Sequence, residues 1–227
     1  MKRIHFGSTS LWTTLLLVSV MFASFVLPVL PVAWQRNLFL AVYTIIFFTA
    51  IFSLERRNNY LLILLISTLL LAWFSRIFNM PVLHIISKAV NILFFMAIVF
   101  SLIRQIATAR RVTARVILDS IVGYLLLGVI YSIFIAFIIQ QDPGAFSVHQ
   151  TEVSQPGDNI NISVPLYFSY VTLATLGYGD ILPLKPYSRS LATMITISGQ
   201  FYIAIIVALL VGKFSASRAT KNEADET

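Results

Sequence analysis

The sequence predicts an all-α integral membrane protein on three observations. Of its 227 residues 58% are hydrophobic, only 11% are charged, and the apolar residues gather into runs of about twenty. Mean hydropathy is +0.87. A water-soluble domain of this length needs a charged surface that so few ionisable residues cannot cover. An apolar run of about twenty residues crosses the hydrocarbon core as a helix and satisfies its own backbone polar groups. The formal charge of +7 would suggest nucleic acid in a soluble protein. Here the basic residues fall between apolar runs and report topology, so no nucleic-acid partner is expected. The chain has no cysteine, which excludes disulfides, thiolate metal sites and a cysteine nucleophile.

Apolar spans are predicted at about 11–30, 38–54, 60–78, 82–103, 121–139 and 191–211. Lys2 and Arg3, Arg56 and Arg57, then Arg104, Arg110, Arg111 and Arg115, and finally Lys213, Arg218 and Lys221 fall on one side if each span crosses once. The positive-inside rule makes that side cytoplasmic. The other side holds Arg36, Arg76, Lys185 and Arg189 with Asp142, Glu152, Asp158 and Asp180. A multi-pass protein of the cell membrane with both termini cytoplasmic is therefore expected. Lys2 and Arg3 before an apolar run also resemble a signal peptide. The run continues to about Leu30, which favours a retained helix.

The first four spans form an expected domain over 1–103. The fourth contains only Lys88 and His84, with Arg104 at its inner end, whereas a voltage sensor needs several cations spaced every third residue. Weak or absent voltage dependence follows. Lys88 is expected to snorkel to the outer interface or to pair within the subunit. A basic linker, 104–118, alternates cationic and apolar residues. Arg104, Arg110, Arg111 and Arg115 there could lie on anionic lipid as an interfacial helix, or form an ordinary positive-inside loop. A pore domain is expected over 119–213 and a cytoplasmic tail over 214–227, too short for a ligand-binding domain.

Between the last two spans, 141–162 reads as an exposed polar loop with Pro143, Gly144, Pro156 and Gly157, and contains an Asn161-Ile162-Ser163 sequon. From Ser163 the character changes. Ser163 could cap a helix with Pro165 in its first turn, and a helix of about ten residues follows, about 15 Å long. It can dip into a bilayer and return but cannot span it. Thr175-Leu176-Gly177-Tyr178-Gly179-Asp180 comes next. A cation entering a pore must exchange its water for other oxygens, and backbone carbonyls supply them if successive ones point inward. That needs an alternating backbone twist, with φ often positive, which glycine tolerates best. Gly177 and Gly179 stand at alternate positions as this requires. Leu176 and Tyr178 would brace the loop, the Thr175 hydroxyl would add the innermost ligands, and the short helix would aim its partial negative end at the cavity. One loop per chain implies a homotetramer around a shared axis.

Thr172 to Asp180, T-L-A-T-L-G-Y-G-D, with Tyr167-Phe168-Ser169 before it, resembles the signature of the potassium channel superfamily, especially prokaryotic channels with a two-helix pore. The resemblance covers about 121–213. It implies passive potassium conduction, with ions bound by Thr175, Leu176, Gly177 and Tyr178 and concentrated at the outer mouth by Asp180. Leu176 replaces the commoner Val or Ile. Tyr167 and Phe168 stand where many members carry a Trp pair, and Val171 where some bacterial members carry Glu. By position, the Tyr167 hydroxyl could bond Asp180 and Thr172 could bond Tyr178, both supporting the filter. Gly199 matches the gating-hinge glycine of the pore-lining helix, with close helix packing as the alternative. No cofactor is expected, potassium being the permeant ion. No enzyme is expected either, because the spans show no paired carboxylates, metal-ligand spacing or nucleophile motif. The alternatives are a poorly selective cation channel and a potassium transporter subunit, though transporters usually carry several degenerate pore loops per chain.

Overall fold

The computed structural model describes residues 6–54, 63, 66–68, 70–71, 74, 81–109, 112–147 and 163–225. Among them the fold is all-helical, with one isolated bridge between Phe146 and Pro183. The main helices are α1 (Phe6–Met21), α2 (Val32–Ser53), α3 (Pro81–Thr108), α4 (Ala114–Gln141), α5 (Ser163–Leu173) and α6 (Pro186–Asp225). Four helical stretches among the described residues are long and apolar enough to cross a membrane: Leu11–Val29, Ala89–Thr108, Ala114–Gln141 and Pro186–Ser215. Most of the expected third span, Asn161 and Ile162 of the sequon, and the Lys88 and His84 side chains lie outside the described residues.

Helix boundaries follow local chemistry. α1 runs on through a π-helical turn, Phe22–Val26, and a 3₁₀ turn, Leu27–Val29, which contains Pro28. Pro31 then opens α2 with ψ 142, a geometry that ends one helix and starts another. Prolines also stand at the first positions of α3 and α6, where their missing N–H costs nothing. Thr113 caps α4, its side chain accepting from Val116 N. At 1.5 Å per residue the 28 residues of α4 reach about 42 Å, and the 40 of α6 about 60 Å.

The Thr113 cap corrects one expectation. Among the described residues of 104–118 there is no separate interfacial helix: α3 continues to Thr108 and α4 already begins at Ala114, while Arg110 and Arg111 lie outside the described residues. Arg115, expected to meet lipid headgroups, turns inward. Its Nη2 donates to the Ser53 carbonyl at 2.8 Å, and its Nε lies 3.9 Å from Asp119 Oδ2. The reason is a carboxylate one turn further along α4. Asp119 is only 1% exposed and accepts from Gln105 Nε2 at 2.7 Å and from Thr13 Oγ1 at 3.2 Å. Thr13 in turn shares a 2.7 Å hydrogen bond with Ser53. One buried carboxylate thus gathers α1, α2, α3 and α4 at a single level.

Apolar packing completes the arrangement. Phe47 of α2 lies 4.5 Å from Phe94 and 5.1 Å from Phe95 of α3, ring centre to ring centre. Lys213 of α6 donates to the carbonyls of Ile106 and, at 2.8 Å, Ala107. These belong to the last turn of α3, whose carbonyls have no partner within their own helix.

Candidate functional site

α5 is 11 residues long and wedges between α4 and α6. Two knob-in-notch contacts hold it. Tyr170 fills the surface of α4 at Gly128, where a Cβ would stand 2.1 Å from the Tyr170 ring. Leu173 fills α6 at Gly199, where a Cβ would stand 2.5 Å from the Leu173 carbonyl oxygen and 2.9 Å from its Cδ1. A third notch, at Gly123, receives the Tyr202 hydroxyl, which donates to Ser120 O at 2.7 Å and joins α6 to α4. Gly199 therefore serves close packing, and α6 runs unbroken through it. Polar ties reinforce the wedge: Ser169 Oγ donates to Gly128 O at 2.6 Å, and Tyr131 Oη to Ser198 Oγ at 2.7 Å.

The end of α5 and the start of the expected filter are one structure. Leu176 N donates to Val171 O at 2.9 Å, and Thr175 N to Thr172 O at 3.0 Å. This pair of crossed bonds is a Schellman motif, whose left-handed position falls on Thr175 at φ +59. That position normally takes glycine, and a β-branched residue there is an outlier. Gly177 at φ +57 and Gly179 at φ +81 continue the alternation. Every second residue from Thr175 to Gly179 thus has positive φ. The carbonyls of Val171 and Thr172 are spent on the turn, and the segment leaves along the negative end of α5.

Both flanks of this segment are anchored. Tyr167 Oη donates to Asp180 Oδ2 at 2.5 Å, across the segment from the middle of α5. Beyond it, Ser147 N donates to Leu182 O at 2.9 Å, Leu184 N to Ala145 O at 2.9 Å, and Leu182 N to Ser147 Oγ at 2.7 Å. The chain after the segment is thereby tied to the turn after α4. Thr172 contributes through its carbonyl, which also accepts from Thr196 Oγ1 of α6 at 3.5 Å. Leu176 is 59% exposed and Tyr178 68%, unusual for large side chains on a structured loop.

The Tyr167 bond shifts both partners. The phenol holds the Asp180 carboxyl below its ordinary 3.8. The carboxylate in turn pushes Tyr167 up to about 12. Asp180 has a depressed value, so its contribution is present above 3.8 and lost as pH falls through the lower folded value. Tyr167 has a raised value, so its contribution holds below 10.0 and is lost only near 12. External pH between about 5 and 9 is therefore expected to leave the loop intact. Tyr167→Phe removes the donor, and the Asp180 titration midpoint, read from its side-chain carboxyl by NMR, should move to higher pH. An unmoved midpoint would show that this bond does not set the Asp180 titration.

Sequence reasoning missed Asp119, Tyr170, Ser24 and the Gly123 and Gly128 notches. The polar partners of Ser169 and Tyr170 lie 41 to 146 residues away, so no local pattern marks them, whereas the i,i+4 spacing of Arg115 and Asp119 was a local signal that could have been read.

The ion channel family model matches residues 120–216, which carry α4, α5, the alternating segment and most of α6. Among curated proteins, the potassium voltage-gated channel subfamily A member 10 of Mus musculus is 32% identical over 98 residues, 41% of this chain and 18% of that protein. The inward rectifier potassium channel Kirbac3.1 of Paramagnetospirillum magnetotacticum is 29% identical over 30% of this chain and 22% of its own length. The voltage-gated potassium channel of Aeropyrum pernix is 25% identical over 37% of this chain and 29% of its own. The chain spans less than a third of the length of each of these relatives. No solved structure matches significantly. Over residues 120–216, the helix, short helix, loop and helix just described, the chain matches the ion channel family, and the relatives to which it is similar are potassium channels.

Proposed function

We propose that the chain is one subunit of a homotetrameric potassium-selective channel of the cell membrane, with both termini cytoplasmic. One observation carries the reading: φ is positive at Thr175, Gly177 and Gly179, directly after a short helix too short to span the bilayer. Such alternation turns successive carbonyls to the same side, as a ring of dehydrating ligands requires. Thr175, Leu176, Gly177 and Tyr178 would supply the ion sites, Gly179 the exit, and Asp180 the outer mouth. The exposed Leu176 and Tyr178 side chains support the tetramer, because neighbouring subunits would cover them. Arg104, exposed at the end of α3, remains a lipid contact in this reading, and Gly199 the point where Leu173 of α5 seats closely on α6.

Gating by voltage is weak in this proposal. α3 carries only Lys88 and Arg104 as cations, and one charge crossing the whole field gives about 2.3 kcal/mol per 100 mV. Purified protein in a planar bilayer under opposed potassium and sodium gradients tests the proposal. The expected result is discrete unitary steps, a reversal potential close to the potassium equilibrium value and a shallow conductance–voltage curve. A reversal potential near zero would instead identify a poorly selective cation channel, and slow saturating flux without steps a transporter.

A further inference from the structure

We propose that α1 controls the filter through Tyr170, making the first helix a positioning element for ion selectivity and not only a packing partner. The proposal rests on the filter reading above. Tyr170 sits on α5 at the junction of three helices. Its hydroxyl donates to Leu125 O of α4 at 2.8 Å and shares a 2.8 Å hydrogen bond with Ser24 Oγ of the α1 extension. With the Tyr170 proton committed to the carbonyl, Ser24 is the donor, so the bonds run from α1 through the phenol to α4. The phenol ring stacks on Phe25 with centroids 6.0 Å apart and planes 24° apart. Its other side occupies the notch at Gly128.

The contact falls on an irregularity of α1. Ser24 and Phe25 belong to the π-helical turn Phe22–Val26, in which Ser24 is buried. A π turn inside a long helix widens the backbone at a sequence cost and recurs at functional positions. Here it presents two consecutive side chains, one polar and one aromatic, to the same tyrosine.

From Tyr170 the path to the filter is short. The Tyr170 carbonyl accepts from Ala174 N at 2.9 Å, and the next two carbonyls hold Leu176 N and Thr175 N. A displacement of the phenol therefore moves the turn that sets Thr175 at φ +59. Thr175 already occupies a backbone region unfavourable to its side chain, so the surrounding bonds have to hold it there.

The test is a set of full-length variants recorded in planar bilayers under a potassium–sodium gradient, with assembly checked by size-exclusion chromatography. Wild type is measured first. Failure of wild type to prefer potassium would sink the filter reading itself, separately from this proposal. Ser24→Ala and Tyr170→Phe are each expected to assemble and conduct while their potassium-to-sodium permeability ratio falls about three- to tenfold, the scale of one lost hydrogen bond. The double variant should be no worse than Tyr170→Phe, because both remove the same bond. Ser24→Thr, which keeps a hydroxyl, should restore the wild-type reversal potential. An unchanged reversal potential in Ser24→Ala would overturn the proposal, as would additive losses in the double variant. Should Tyr170→Phe fail to assemble, the Ser24→Ala and Ser24→Thr pair decides alone.

Discussion

Gly177→Ala is expected to abolish selective potassium conduction while leaving the helices folded. Gly177 sits at φ +57, and a Cβ in this left-handed region costs about 1–2 kcal/mol per residue. No neighbouring atom of the chain would obstruct that Cβ, so the conformational term is the one to weigh. A single chain would tolerate it. In the proposed tetramer the same cost falls on every subunit at once, about 4–8 kcal/mol for the ring. A channel selects by small differences between ions, and 1.4 kcal/mol is already tenfold in an equilibrium constant. The ring would relax towards negative φ at this position, turn its carbonyls away and lose that ion site. The measurement is a bi-ionic reversal potential with unitary conductance on purified protein, alongside far-ultraviolet circular dichroism. Linked tetramers carrying one to four altered loops should lose selectivity progressively. Retention of wild-type selectivity with all four loops altered would remove the filter from the mechanism.

Thr175 shows why this argument concerns the ring more than any one residue. It holds a β-branched side chain at φ +59, against the same penalty. Its place as the left-handed residue of the turn ending α5 would ordinarily take glycine. A hydroxyl facing the innermost ion supplies the reason for a threonine there in our proposal. From the sequence, Gly177 and Gly179 announced the alternation because glycine at every second position has few other uses. Thr175 gave no such signal, since nothing local distinguishes a strained threonine from a relaxed one. The long spans of α1, α3, α4 and α6 were legible from hydropathy, which reads a bilayer directly. The linker at 104–118 was misread for a related reason. Its charge alternation suits a surface helix, yet Arg115 spends its charge inside the bundle. Inward and lipid-facing arginines look alike until the partner carboxylate is placed. The notches at Gly123 and Gly128 were equally invisible, because a glycine in an apolar span signals a close approach without naming what approaches.

That partner carboxylate leads to the second large effect. Asp119→Ala is expected to destabilise the protein by about 3–5 kcal/mol, the range for removing one member of a buried charge pair. Asp119 is 1% exposed and Arg115 is partly buried beside it. At 3.9 Å the pair is a charge contact and not a hydrogen bond, so most of the loss comes from the groups left behind. The Gln105 amide and the Thr13 hydroxyl would each lose an acceptor, and the Arg115 cation its counter-charge, in a medium where unpaired groups are expensive. Asp119→Asn keeps a carbonyl oxygen for Gln105 or Thr13 while removing the charge. It should fall between wild type and alanine in thermal midpoint in detergent. The ordering separates two origins of the effect. If asparagine matches wild type, the acceptors matter and the charge does not. If it matches alanine, the charge dominates, and Asp119→Ala combined with Arg115→Met should then recover stability, because an apolar replacement of a buried pair is often neutral or better. Equal midpoints for all four proteins would mean that α1, α2 and α3 are held to the pore module by apolar packing alone.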